Sequence, residues 1–159
     1  MRIYTLMIAL LMSSLVFTGC GDDDDDDDNG PSGGGNSLTI DGNEASLNST
    51  TAEDSEAGGS NTRVIIFIGS DGENFSIGIS GGSNVDPGDY EVATPTNPQS
   101  DITVSYTEGN NAGFLVQSGT VTLSTNSADR VEGSFSVEAD EVNGDGTRSL
   151  EGSFALDVQ

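Results

Sequence analysis

Between Asn36 and Gln159, apolar side chains recur at every second position rather than at every third or fourth. Leu38 and Ile40, then Phe75, Ile77 and Ile79, then Ile102, Val104 and Tyr106 alternate with polar neighbours. A period of two is that of strands with one face buried and one face in water. The runs are separated by Asp41-Gly42, Asp71-Gly72, Gly81-Gly82, Asp86-Pro87-Gly88, Glu108-Gly109-Asn110 and Asn143-Gly144-Asp145-Gly146, all turn formers at hairpin spacing. The pattern predicts an all-β fold, an antiparallel β-sandwich or flattened barrel of roughly 8 to 10 strands joined mostly as a meander of hairpins. Two segments break the alternation. Val64 to Ile68 is continuously apolar, which predicts a central strand covered on both faces. Glu44 to Ala57 is the one stretch that suits a short helical turn.

The end of the chain carries an internal echo. Val131-Glu132-Gly133-Ser134-Phe135-Ser136-Val137-Glu138 recurs nineteen residues later as Leu150-Glu151-Gly152-Ser153-Phe154-Ala155-Leu156-Asp157. In each copy the first, third, fifth and seventh residues suit a buried face, and the Asn143–Gly146 turn makes the pair a hairpin. The glycines inside the copies, Gly133 and Gly152, predict a bulge or bend where the sheet curls.

Upstream the pattern changes twice. Met1 to Gly19 has one positive charge, at Arg2, followed by an apolar stretch from Ile3 to Phe17 and small residues, which is the architecture of a signal peptide. It is shorter than the ~20 apolar residues that a membrane-spanning helix needs. Cys20, the only cysteine, is followed by Gly21 and seven aspartates, Asp22 to Asp28, and then by a Gly-rich stretch. Residues 20–35 hold nothing apolar to offset the entropy of ordering, so they predict an extended tether. The expected division is therefore 1–19 leader, 20–35 tether and 36–159 a single β-domain.

Phe17-Thr18-Gly19-Cys20 resembles the lipobox of bacterial lipoproteins, with Phe17 where Leu is usual. The resemblance implies cleavage between Gly19 and Cys20 and attachment of lipid, palmitate among it, to Cys20. Such attachment holds a protein on a membrane because each buried methylene contributes about 0.8 kcal/mol. The aspartate run directly after that cysteine resembles the surface-export signal of Bacteroidota lipoproteins, which implies an outer-membrane location facing the cell exterior. The strand segments Leu38-Thr39-Ile40-Asp41-Gly42 and Gly119-Thr120-Val121-Thr122-Leu123, with the repeated Gly-Ser-Phe, resemble small β-domains of the same lipoproteins. That likeness implies the fold and brings no catalytic or binding residues with it.

Charge and missing residue types then remove whole chemistries. The chain has 27 Asp and Glu against 4 Lys and Arg, no His, and a net charge of −23. A surface this acidic repels a phosphate backbone, which excludes nucleic acid as a partner. Without histidine there is no Ser-His-Asp or Cys-His nucleophile, so Gly78-Ile79-Ser80-Gly81-Gly82, although it matches G-x-S-x-G, has no imidazole base. Only carboxylates remain for catalysis. A carboxylate hydrolase on sugars would need aromatic platforms, and the chain has no Trp. Calcium is the one cofactor with a candidate loop: Glu141, Asn143 and Asp145, ahead of Gly146, match the opening of a calcium loop, yet its closing glutamate position is Gly152.

These readings favour a non-enzymatic, membrane-anchored, surface-exposed β-domain that binds a glycan, a peptide or an envelope protein. The alternative is a structural or protective coat protein without a specific ligand, and the remote alternative is a carboxylate-based hydrolase.

Overall fold

The computed structural model describes residues 35–57, 60–109 and 112–159. The predicted leader, Gly19, Cys20 and the aspartate run lie outside the described residues. The described residues form one compact unit by their own contacts, and its buried core is drawn from residues between Leu38 and Leu156.

Asp41 and Gly42 both take positive φ, 51° and 78°, as a two-residue hairpin turn with the twist of its strands requires. They join β1 (Ser37–Ile40) to β2 (Asn43–Glu44). From there the chain runs as antiparallel neighbours through β3 (Leu47–Ala57), β4 (Ser60–Gly69), β5 (Asn74–Ser80), β7 (Ile102–Thr107), β8 (Gly113–Asn126), β9 (Arg130–Glu141) and β10 (Thr147–Asp157). β1 returns to pair with β10, Ser37 opposite Ser153 and Ile40 opposite Leu150. Strand β6 (Gly88–Glu91) follows a short 3-10 turn, Gly82–Asn84. It pairs with the part of β8 that β7 leaves free, since β7 meets β8 only at Tyr106–Phe114 and Thr107–Gly113.

The resulting ten-stranded antiparallel sheet is curled into a half-barrel, as the alternation and turn chemistry predict. Its two ends approach each other. Ala45 and Ser46 link β2 directly to β3, and Ala52 of β3 bridges in parallel to Val158, with the Gln159 N–H donating to the Ala52 carbonyl at 3.1 Å. The core fills the concave side. Phe75 stacks on Phe135 with ring centroids 4.4 Å apart, and Phe67 meets both edge-on at 5.6 and 5.5 Å. Phe135 belongs to β9 and the other two to β4 and β5, so these rings join walls that are not sheet neighbours.

Three expectations are corrected by the structure. Glu44–Ala57 contains no helical turn: it is the end of β2 and the edge strand β3. Among the described side chains of β3 Ala52 alone is fully buried, and Glu53, Asp54 and Glu56 are exposed, so the strand lacks hydrophobic alternation because its outer side meets water. Strand β4 is not covered on both faces. Arg63, Ile65 and Phe67 point into the core, whereas Val64 and Ile66 are half-buried and Ile68 is 40% exposed. The outward β-branched residues favour the extended backbone without forming a second core.

Of the bulge or bend expected at Gly133 and Gly152, a bulge in the β9–β10 pairing is absent. β9 and β10 pair in unbroken register from Arg130–Asp157 to Asp140–Thr147, and the bulges fall instead on β8, between Val116 and Ser118 and between Leu123 and Thr125. The two glycines make room. Gly133 lies opposite Phe154 and Gly152 opposite Phe135, so each copy of the echo covers the glycine of the other with its phenylalanine. A methyl group built on Gly133 would stand 2.7 Å from the Phe154 ring, and one on Gly152 2.6 Å from the Phe135 ring. The rungs Val131–Leu156 and Val137–Leu150 complete a local twofold relation between the copies.

Candidate functional site

The residues singled out by spacing do not converge. Glu141 ends β9, and Asn143 and Asp145 are exposed in the β9–β10 turn. The Glu141 N–H donates to the Gly146 carbonyl at 2.7 Å, which closes the hairpin, and the Glu141 carboxylate folds over Gly144 where any larger residue would collide with it. Among the described residues no group of three or more Asp, Glu, His or Cys side chains is placed to hold a metal ion. Ser80 ends β5 and precedes a 3-10 turn rather than an α-helix. Its backbone N–H donates to the Asp101 carbonyl at 2.7 Å.

The largest polar feature of the core is Arg63, whose signal in the sequence is its phase. It stands two and four residues before Ile65 and Phe67 and shares their inward face, with no exposed surface at all. Its guanidinium forms a fork on the Asp54 carboxylate, Nε to Oδ1 at 2.8 Å and Nη2 to Oδ2 at 2.9 Å. Nη1 donates to Asn126 Oδ1 at 2.6 Å and to the Ser127 carbonyl at 2.7 Å. Asn126 in turn donates to the carbonyls of Gly82 and Val85 at 2.9 and 2.7 Å. One cation thus ties β3, β4, the end of β8 and the 3-10 turn together. The hydrogen bonds from Arg63 hold the Asp54 carboxyl below its ordinary value of 3.8.

The other end of β4 borders a cleft of about 410 Å³. Three connections build it: the β1–β2 hairpin with its link to β3, the β4–β5 turn, and the end of β7. The last two touch back to back at Gly72 and Gly109. Gly72 has φ 89°, and a methyl group built on it would lie 3.0 Å from the Gly109 Cα, so glycine is required there. Four carboxylates line the cleft: Glu44, Asp71, Glu73 and Glu108.

Arg148 buttresses this cleft from β10. Its Nε donates to Glu108 Oε1 at 2.7 Å, its Nη1 lies 3.6 Å from Asp41 Oδ2, and its guanidinium sits over the Phe114 ring, 5.4 Å from the centroid. Phe114 packs on Tyr106 with centroids 5.2 Å apart. Tyr106 lines the cleft although it is only 2% exposed, and its hydroxyl has no hydrogen-bond partner among the described residues. Side-chain nitrogen and oxygen atoms wholly shut off from solvent all have partners among those residues. The small exposure of Tyr106 is therefore at its hydroxyl, which faces the cleft. Burial, followed by the charges of Glu108 and Glu73, pushes the phenol up from 10.0 to about 12.

That raised value has a measurable sign. The neutral phenol stabilises the fold below pH 10, and this contribution is lost as pH rises from 10 towards 12. In a Tyr90→Phe protein from which the leader, with Tyr4, has been removed, ultraviolet absorbance of phenolate should rise with a midpoint near 12. A midpoint at 10 would mean that the hydroxyl is freely solvated.

No protein-family model, no curated protein and no solved structure matches the chain, so the site rests on its own geometry.

Proposed function

We propose that the chain is a lipoprotein held on the outer membrane through lipid on Cys20, facing the cell exterior, whose β-domain binds an extracellular or envelope ligand without transforming it. The observation that supports binding is the cleft beside Tyr106, where the hydroxyl of an otherwise buried tyrosine and four carboxylates share one concavity and Arg148 braces its wall from outside. Its volume of about 410 Å³ falls in the range of about 300 to 1,000 Å³ usual for small-ligand sites, with a lining more polar than most. The leader and the lone cysteine before an acidic tether support the location.

The anchor is tested in cells. Radiolabelled palmitate should enter the wild-type protein and be lost in Cys20→Ala, and protease added to intact cells should remove the domain. Label that persists in Cys20→Ala would overturn the anchor, and a domain protected in intact cells but cleaved after lysis would overturn the outward orientation.

A further inference from the structure

We infer that the cleft takes an organic cation, an alkylammonium or guanidinium group, held between the Glu44 and Asp71 carboxylates above the Tyr106 hydroxyl. This rests on the binding reading just given and names the class of ligand. Three observations carry it.

The first is an imbalance among partners. Of the four carboxylates lining the cleft, Glu108 is satisfied by Arg148, and Glu73 turns back to accept the Asp71 N–H at 3.2 Å. Glu44 and Asp71 are exposed, and their carboxylates have neither a hydrogen-bond nor an ion-pair partner among the described residues. Together with Asp41 they leave the cleft strongly negative around one guanidinium, and a concave wall of low dielectric focuses that field.

The second is Tyr106. A hydroxyl on a side chain that is 2% exposed, without a hydrogen bond among the described residues and facing a concavity, is an oxygen open to a donor. The phenol is uncharged at neutral pH, so it accepts an N–H without adding repulsion to an anion-lined site.

The third is the protein's own usage. Arg148 already shows how this end of the fold holds a cation: a carboxylate at 2.7 Å on one side and an aromatic face at 5.4 Å on another. A bare metal ion fits the cleft poorly, because among the described residues no three acidic groups converge to coordinate one. Its carboxylates are spread around a cavity, an arrangement for a group that presents several separate N–H donors.

The test uses the chain from residue 21 onward, which retains the whole core. The chain has no Trp, so in a Tyr90→Phe background the emission comes from Tyr106 alone once the leader with Tyr4 is gone. Cadaverine, a lysine tripeptide amide and the same peptide acetylated on its amines are titrated at low salt. We expect saturable changes in Tyr106 emission with the two amines and none with the acetylated peptide. Tighter binding of cadaverine would identify a free polyamine as the source of the cation, and tighter binding of the peptide a basic polypeptide.

Glu44→Gln with Asp71→Asn should weaken binding about tenfold, the loss expected for two partly screened charge contacts. The remote pair Glu53→Gln with Asp129→Asn changes net charge equally and should weaken binding less than twofold. Equal weakening by both pairs, or binding of the acetylated peptide, would overturn the inference in favour of a diffuse field or a different ligand. A glycan array separates the two levels of the proposal. Neutral glycan bound without amine would sink the cation and keep the binding domain, whereas neither bound in any assay, envelope pull-down included, would sink both.

Discussion

Arg63→Ala should melt roughly 10 to 20 °C below the parent protein. A loss of about 3 to 5 kcal/mol, set against the entropy of unfolding of a domain of this size, produces that shift. The side chain is fully buried and donates four hydrogen bonds to three residues of two other strands and their following turn. Its removal leaves a cavity and strands the Asn126 amide oxygen and the Ser127 carbonyl. Arg63→Met restores volume without charge and should recover part of the loss, because a buried ion pair replaced by a packed apolar group is often close to neutral. Asp54→Ala is the converse experiment, since it leaves two N–H groups of a buried fork unpaired. If Arg63→Ala melts within 2 °C of the parent, the guanidinium does not hold the curled sheet together.

The same pair sets an acid limb of stability with a defined sign. The Asp54 carboxyl titrates below 3.8 in the folded state, chiefly through its hydrogen bonds from Arg63. Its contribution is therefore present above pH 3.8 and is lost as pH falls through the lower folded value. Asp54→Asn should flatten that part of the urea midpoint against pH.

Gly152→Ala and Gly133→Ala should each cost about 2 to 4 kcal/mol, a large effect for a single methyl group. The added carbon meets the Phe135 or Phe154 ring at 2.6 or 2.7 Å, and it also runs into a backbone carbonyl of the next strand, that of Ser37 or Thr122. A flexible side chain yields cheaply and a paired carbonyl does not. Trimming the ring should therefore rescue little: Gly152→Ala with Phe135→Leu is expected to stay near the sum of the two single changes or below it in stability. Gly35→Ala is the control, because nothing lies within 4 Å of the position, and it should be neutral within about 0.5 kcal/mol. Neutral behaviour at Gly152 would mean that the sheet there relaxes freely, against the reciprocal covering of glycine by phenylalanine.

What the sequence reveals and what it conceals follow the range of the interactions. Hairpins such as Ile40–Asn43 and Asp140–Thr147 are closed by two and six intervening residues, and Asp41-Gly42 or Asn143–Gly146 state them locally. The echo near the C-terminus is equally legible as two strands facing one way. Edge strand β3 is not, because a strand with one side in water and one wall to lean on carries little hydrophobic alternation. The unbroken run in β4 misleads for a related reason: strand propensity and burial ask for the same residues, Val64, Ile66 and Ile68 serving the first. Arg63 was available only through its phase with Ile65 and Phe67. The cleft draws Glu44, Asp71 and Tyr106 from three separate connections, so no spacing in the chain announces it.

The entry of the chain into the fold has a mechanical consequence. Asn36 and Ser37 are fastened to the last strand: Asn36 Oδ1 accepts the Ala155 N–H at 2.9 Å, and the Ser37 and Ser153 hydroxyls lie 3.0 Å apart. The cleft lies at the opposite end of β1, at Ile40 and Glu44. A load applied between the upstream chain and anything held in the cleft is directed along β1, so the rungs it shares with β10 bear it together in shear. A pull across the strands would instead open them one at a time.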